Sequence, residues 1–147
     1  MYDSEVAMRL RLKVWVFIAV GLLCVQPVSA ADKPEAEAAK SAEAWLSLVD
    51  HGKFAESWDA AARLFQNAVA KDDWERTIGA ARTPLGRVLS RRLKSTAYRT
   101  SLLGAPDGKY VIVRFDTSFE HKKEAVETVT PMQEPDGAWK VSGYFIK

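Results

Sequence analysis

The spacing of apolar residues changes at Gly86, and this change limits the possible folds more than any other feature of the chain. Before Gly86, apolar residues recur every three or four positions, as in a helix that buries one side. After Gly86, they alternate with polar residues, as in a strand with one buried face. Helices followed by hairpin-connected strands predict an α+β domain in which the helices cover one face of an antiparallel sheet.

Three N-terminal helices are predicted. The first covers residues 34–52, because proline is well placed at a helix start and Gly52 suits a helix end. The second follows from apolar residues at helical spacing in residues 54–69. The third begins at Asp72, which is expected to cap the helix together with Glu75 three residues later. We expect all three to pack on the sheet.

The chain after Gly86 predicts a curved antiparallel sheet of four to five strands. The segments with strand character are residues 88–93, 98–103, 109–119, 125–132 and 139–146. In the third segment, the face expected under the helices consists of Val111, Val113, Phe115, Thr117 and Phe119. The face expected to point away from them, and offered as a homodimer interface, consists of Tyr110, Ile112, Arg114 and Asp116.

Residues 1–30 have the composition of a signal peptide. The basic segment 9–13 precedes the apolar run 14–25, and small residues lead up to a cleavage site between Ala30 and Ala31. The apolar run is shorter than the roughly 20 residues of a membrane-spanning helix. We therefore expect no stable membrane anchor and a periplasmic or secreted protein, with residues 31–147 forming a single α+β domain. Initiation at Met1 and at Met8 both remain open.

The charges are nearly balanced, with 21 Lys and Arg against 19 Asp and Glu, so no nucleic-acid partner is expected. One stretch is locally basic because no acidic residue lies between Glu75 and Asp107. It reads either as a solvated strand face or as a surface for an anionic component of the cell envelope. Its basic residues are Arg76, Arg82, Arg87, Arg91, Arg92, Lys94 and Arg99.

Motifs for metal, cofactor or nucleophilic chemistry are missing from the sequence. The one cysteine, Cys24, lies in the predicted signal peptide. The two histidines, His51 and His121, lack the spacing of metal ligands on one helix face. Phosphate-binding glycine loops and Gly-x-Ser-x-Gly are also absent. We therefore assign no catalytic, cofactor-binding or metal-binding residue.

Two carboxylates are the candidates for an enzymatic alternative. Asp59 follows Trp58 on the second predicted helix, and Asp116 lies beside Arg114 on the clearest strand. In a pocket, Asp116 with Arg114 could orient a ligand or move a proton. The arrangement with lower desolvation cost buries the apolar face and leaves Arg114 and Asp116 outside as an ion pair.

Several segments resemble a known family. They are Ala44–Leu46, Ser57–Asp59, Pro106–Gly108, Phe115–Phe119 and Val141–Tyr144. On these segments, residues 36–147 resemble the bacterial "domain of unknown function 4019" family. The order of elements is also similar to the cone-shaped folds of the nuclear transport factor 2-like and cystatin-like groups. The resemblance implies an exported single domain and no particular activity, because this fold hosts enzymes, dimerisation modules and binders.

The sequence therefore favours a small, non-catalytic, periplasmic binding or interaction module. Its expected partner is an envelope protein or a small molecule. The alternative is a small hydrolase or isomerase that uses Asp59 or Asp116 in a pocket.

Overall fold

The computed structural model describes residues 33–147, and the predicted signal peptide with its Ala30–Ala31 cleavage site lies outside them. The chain forms four helices, a short 3-10 helix and four strands. The helices are α1 (Lys33–Asp50), α2 (Phe54–Asp59), α3 (Arg63–Ala68) and α4 (Lys71–Arg82), with the 3-10 helix at Thr83–Leu85. The strands are β1 (Val88–Arg99), β2 (Tyr110–Phe119), β3 (Ala125–Gln133) and β4 (Trp139–Ile146).

The strands form one open antiparallel sheet in the order β1-β2-β3-β4, so each strand pairs with its neighbours in sequence. Helix α1 contacts all four strands, and α3 contacts β4. Helix α2 packs against α1 and α4. The α+β class is therefore confirmed, with α1 as the helix that crosses the whole sheet.

Four helices form instead of the three that were predicted. The segment 54–69 is interrupted at Ala61 and Ala62, which are almost completely buried. Ala62 has an extended backbone, and its N–H donates a hydrogen bond to the Val141 carbonyl at 2.8 Å. The small alanine side chains let the chain approach β4 closely enough for this bond, which a continuous helix could not make.

The predicted cap of the last helix is also wrong. Helix α4 begins at Lys71 after an extended Ala70, and its N-terminus has no side-chain hydrogen bond. Asp72 and Asp73 instead lie in the first turn, where their negative charges favour the positive end of the helix dipole.

Strand β1 contains the first predicted strand, 88–93, and continues to Arg99. The second predicted strand, 98–103, is wrong beyond Arg99, and β2 to β4 agree with prediction to within one residue. Register shifts near both ends of the segment 88–95 accommodate extra residues and obscure the alternation in the sequence. At the other end of β1, the Tyr98 N–H donates to the Glu35 carboxylate at 2.9 Å. A side chain of α1 thereby accepts a hydrogen bond from a backbone N–H of the edge strand β1, which would otherwise have no partner in the sheet.

The predicted faces of β2 are confirmed with one exception. The alternate residues from Val111 to Phe119 are buried, and Arg114 is exposed. Tyr110 was expected on the exposed face, but it is only 1% accessible. Its hydroxyl donates to the Pro106 carbonyl at 2.7 Å, because the segment between β1 and β2 folds over this end of the sheet.

Aromatic side chains of the helices and of β4 form the centre of the core. The Trp74 ring lies 5.7 Å from that of Trp45 and 5.0 Å from that of Phe65, while Tyr144 lies 5.3 Å from Trp45. Ser57 accepts two indole N–H groups, that of Trp45 at its carbonyl and that of Trp74 at its hydroxyl. These tryptophans are core residues, as their helical spacing predicts.

Candidate functional site

The first candidate carboxylate, Asp59, lies at the end of α2 and is 57% exposed. Lys71 donates to both of its oxygens, at 2.9 and 2.7 Å. This is a surface ion pair, and it lies among the helices rather than on the sheet. Asp59 and Asp116 are therefore not brought together in one site.

The second candidate, Asp116, lies on the sheet face that points away from α1, which we call the outer face. Arg114 is its expected partner from the sequence, but the partners are Lys94 and Arg92 of β1, at 2.7 and 3.6 Å. The hydrogen bond from Lys94 lowers the pKa of Asp116 against the opposing effect of burial, and the charges of Lys94 and Arg92 add to the lowering. Asp116 is therefore held as a carboxylate, which makes it a weak base.

An ionic network around a buried glutamate lies on the opposite, helix-facing side of the sheet, and the sequence did not reveal it. We call it the ionic network; it consists of Asp50, Arg82, Arg91, Thr117, Glu127 and Tyr144. Each strand supplies one member, and the ends of α1 and α4 supply Asp50 and Arg82. Its centre is Glu127, which is inaccessible to solvent.

Glu127 is fully hydrogen-bonded despite its burial. Arg82 and Tyr144 donate to its Oε1 at 2.9 and 2.5 Å. Arg91 and Thr117 donate to its Oε2 at 2.7 and 2.6 Å. A buried carboxylate is tolerated only when it is paired and hydrogen-bonded in this way.

Asp50 balances the second positive charge of the network. It accepts two hydrogen bonds from Arg91, at 2.6 and 3.0 Å, and one from Arg82 at 2.6 Å. Two guanidinium groups and two carboxylates therefore neutralise each other. The Arg82 guanidinium also lies 4.6 Å from the centre of the Phe119 ring, a distance at which a cation–π contact stabilises it.

The network shifts the pKa values of its members. Burial opposes the ionisation of Asp50, but hydrogen bonds and charges from Arg91 and Arg82 outweigh it and lower the pKa. Burial, with the negative charge of Glu127, raises the pKa of Tyr144. Burial also opposes the charged form of Arg91, but its bonds to Asp50 and Glu127 raise its pKa. Asp50 and Arg91 are thus held in their charged forms and Tyr144 in its neutral form, which suits a structural role.

A groove of about 720 Å³ opens on the outer face, beside the connection between β2 and β3. We call it the outer groove. Its charged lining residues are Arg92, Lys94, Asp116, Lys123, Glu124 and Lys147, and Ser90 and Ser118 add hydroxyl groups. Among the lining side chains, four cations and two carboxylates leave an excess of two positive charges.

The cations of the outer groove are only partly neutralised. Arg92 and Lys94 share one carboxylate, that of Asp116. Within residues 33–147, Lys123 and Lys147 form no salt bridge, and neither does Arg114 on the same face. The outer face can therefore attract a negatively charged partner.

Metal ligands and membrane spans were sought in residues 33–147. In that range, His, Cys, Asp and Glu do not gather in groups of three that could hold a metal ion. No helix of this part of the chain is long and apolar enough to cross a membrane.

The chain is an α+β protein whose open sheet carries a buried ionic network on one face and a basic groove on the other. It belongs to the family described as "Protein of unknown function (DUF4019)", which matches residues 41–144. The matched range contains every member of both sites except Lys147. No curated protein and no solved structure matches the chain.

Sequence reasoning missed the ionic network, although one signal was present. Glu127 occurs in phase with Ala125 and Val129, the buried residues of β3. An acidic residue at a buried position needs a cationic partner. Arg82 and Arg91 belong to the basic stretch that was noted, but their partner lies 36 to 45 positions away in sequence.

Proposed function

We propose that the protein is an exported, non-catalytic binding module that recognises a negatively charged partner through the outer face of its sheet. The supporting observation is the charge of that face, where Arg114, Lys123 and Lys147 form no salt bridge within residues 33–147. No helix of α1 to α4 lies over Arg114, which is exposed. Complementary charge steers a partner to such a face and fixes its orientation.

Export is part of this proposal and rests on the signal-peptide pattern of residues 1–30. We also propose a cone-shaped fold like that of the nuclear transport factor 2-like and cystatin-like groups. The course of α1 across a four-stranded antiparallel sheet supports this relationship. It carries no activity, since function depends on the site rather than on the fold.

The enzymatic alternative has less support. Asp59 and Asp116 are partly exposed, and each is paired with a lysine. A general base is normally tuned toward neutral pH by burial or by like charges, whereas the cations beside Asp116 lower its pKa. A hydrolase or isomerase that depends on either carboxylate would need a different environment around it.

The same charge argues against the outer face as an interface between two copies of the chain. A two-fold interface brings the same patch onto itself, so Arg114 and the groove lysines would meet cations. Like charges across an interface are unfavourable. An anionic partner therefore suits this face better than a second copy.

Photo-crosslinking in cells tests the proposal. A benzophenone amino acid replaces Thr128, which is paired with Arg114 across β2 and β3 on the outer face. In the matched control it replaces the exposed Ala44 of α1. We expect adducts at position 128 and few at position 44, and Arg114→Glu should reduce them.

The mass of the adducts separates the possibilities. An adduct with a different molecule that depends on Arg114 supports the proposal. An adduct of twice the protein mass would show a homodimer and contradict an anionic partner. Equal yields at positions 128 and 44, or yields that Arg114→Glu leaves unchanged, would also overturn the proposal.

A further inference from the structure

We infer that the outer groove is a binding site for a phosphate monoester, an inference that rests on the proposed binding function and names its ligand class. The outer groove offers cations, hydroxyl groups and a volume suited to a small molecule, all at one end of the outer face.

The charge of the outer groove suits a dianion. Its excess of two positive charges equals the charge that a phosphate monoester carries near neutral pH. Arg92 is held loosely, with its side chain 83% exposed and 3.6 Å from Asp116. It can therefore turn toward a ligand without breaking a close hydrogen bond, while Lys94 keeps its 2.7 Å bond to Asp116.

The remaining donors surround the same space. Lys123 and Lys147 line the outer groove without a salt bridge in the described part of the chain. Ser90 and Ser118 are paired across β1 and β2, so their side chains share one side of the sheet. Lysine ammonium groups bind phosphate as point charges, and hydroxyl groups donate to its remaining oxygens.

The size and lining indicate a ligand larger than the phosphate group but still polar. Small-molecule sites commonly have volumes of about 300–1,000 Å³, and the outer groove, which is open to solvent, has a volume of about 720 Å³. The apolar side chain that β3 contributes to it from the outer face is Val126. The phosphate is thus expected to carry a small polar body, either free in solution or as the headgroup of a lipid.

Titration followed by amide NMR shifts tests the site at low ionic strength. The probes are glycerol 3-phosphate, glycerol as the uncharged control, and phosphatidylcholine vesicles with and without phosphatidic acid. We expect a phosphate-bearing probe to shift the amides of Ser90, Ser118 and Lys123, and glycerol to shift none. The double variant Lys123→Gln/Lys147→Gln should weaken binding about tenfold, since two charge-assisted contacts are lost.

Lys40→Gln is the control, because it removes an exposed cation from α1, away from the outer face and from the lining of the outer groove. It should change the affinity less than twofold. Binding of glycerol 3-phosphate supports a soluble ligand, and binding only to phosphatidic acid vesicles supports a lipid headgroup.

Binding of neither phosphate probe would overturn the inference. An equal loss from Lys40→Gln and the double variant would also overturn it, because general attraction by the positive charge of the protein would then explain binding. Neither result would decide the proposed function, because crosslinking at position 128 tests it independently of phosphate binding.

Discussion

Arg91 donates its Nε–H to Glu127 Oε2 at 2.7 Å, which joins the first strand of the sheet to a carboxylate that solvent does not reach. The same guanidinium holds Asp50 at the end of α1 with two further hydrogen bonds. One side chain therefore connects β1, β3 and α1. The ionic network fixes the helix layer on the sheet and leaves the outer face free for a partner.

Glu127→Gln is expected to destabilise the fold strongly. The substitution keeps the shape of the side chain but leaves Arg82 and Arg91 with one negative charge fewer in a buried environment. Removing one partner of a buried ion pair typically costs about 3–5 kcal/mol. Urea unfolding followed by circular dichroism measures the loss. Glu56→Gln, in an exposed pair with Lys53, is the control and should have little effect; equal midpoints for both variants would contradict a structural role of the network.

Acid should remove the contribution of Asp50. Its pKa in the folded protein lies below the ordinary value of 3.8, so its stabilisation is fully present above that value and is lost as the pH falls through the folded pKa. The free energy of unfolding of the original protein should therefore approach that of Asp50→Asn as the pH decreases from 7 to 3. A constant difference across this range would show that ionised Asp50 is not responsible.

Alkali should act through Tyr144. Its pKa in the folded protein is raised above the ordinary value of 10.0, so the fold stabilises the neutral phenol. This stability is present below pH 10 and decreases as the pH rises above it, because the unfolded chain then releases the proton. Tyr144→Phe should weaken this alkaline dependence. Absorbance of phenolate together with circular dichroism should show Tyr144 ionising only as the protein unfolds; ionisation in the folded state near pH 10 would contradict the network geometry.

The tryptophans should differ in their contribution to stability. Trp45 is 3% exposed and contacts Trp74 and Tyr144, so Trp45→Ala should cost about 3–5 kcal/mol. Trp58 is only partly buried, although its indole donates to the Val69 carbonyl at 2.7 Å. Trp58→Ala should therefore cost less. Chemical unfolding of both variants measures the order, and the reverse order would place the centre of the core elsewhere.

The fold could be predicted from the sequence where one face of an element is uniformly apolar. Strand β2 alternates from Val111 to Phe119, and its bounds were predicted to within one residue. Strand β1 lacks this alternation because a register shift between Leu93 and Ser95 changes the phase. The sequence therefore predicted a break after residue 93 and a second strand that ran past Arg99 to residue 103. The break between α2 and α3 depends on a hydrogen bond from Ala62 to Val141, a contact that local spacing cannot reveal.

The sequence predicts the roles of the basic residues less well on the helix-facing side of the sheet than on the outer face. The basic stretch allowed either a solvated strand face or an anion-binding surface for Arg92 and Lys94, and both residues lie on the outer face. It does not separate them from Arg91, which is one residue away and points to the opposite side. Distinguishing the two roles needs the positions of Asp50 and Glu127, which only the folded chain brings together.

Cleavage between Ala30 and Ala31 is the test of export. The exported protein should begin at Ala31 by N-terminal sequencing, because small residues precede this bond. Changing the Met1 codon should leave export intact if translation starts at Met8. A protein that keeps its first thirty residues would contradict the signal-peptide assignment.

The affinity of Asp116→Asn for glycerol 3-phosphate tests the central claim most directly. Asp116 is the carboxylate shared by Lys94 and Arg92 in the outer groove, so its removal frees positive charge. We expect the variant to bind about threefold more tightly at low salt, an effect on the scale of one exposed charge, and Arg92→Gln to bind more weakly. If Asp116→Asn instead weakens or abolishes binding, Asp116 itself contacts the ligand. That result would contradict the claim that the outer groove binds through its positive charge and that Asp116 only neutralises part of it.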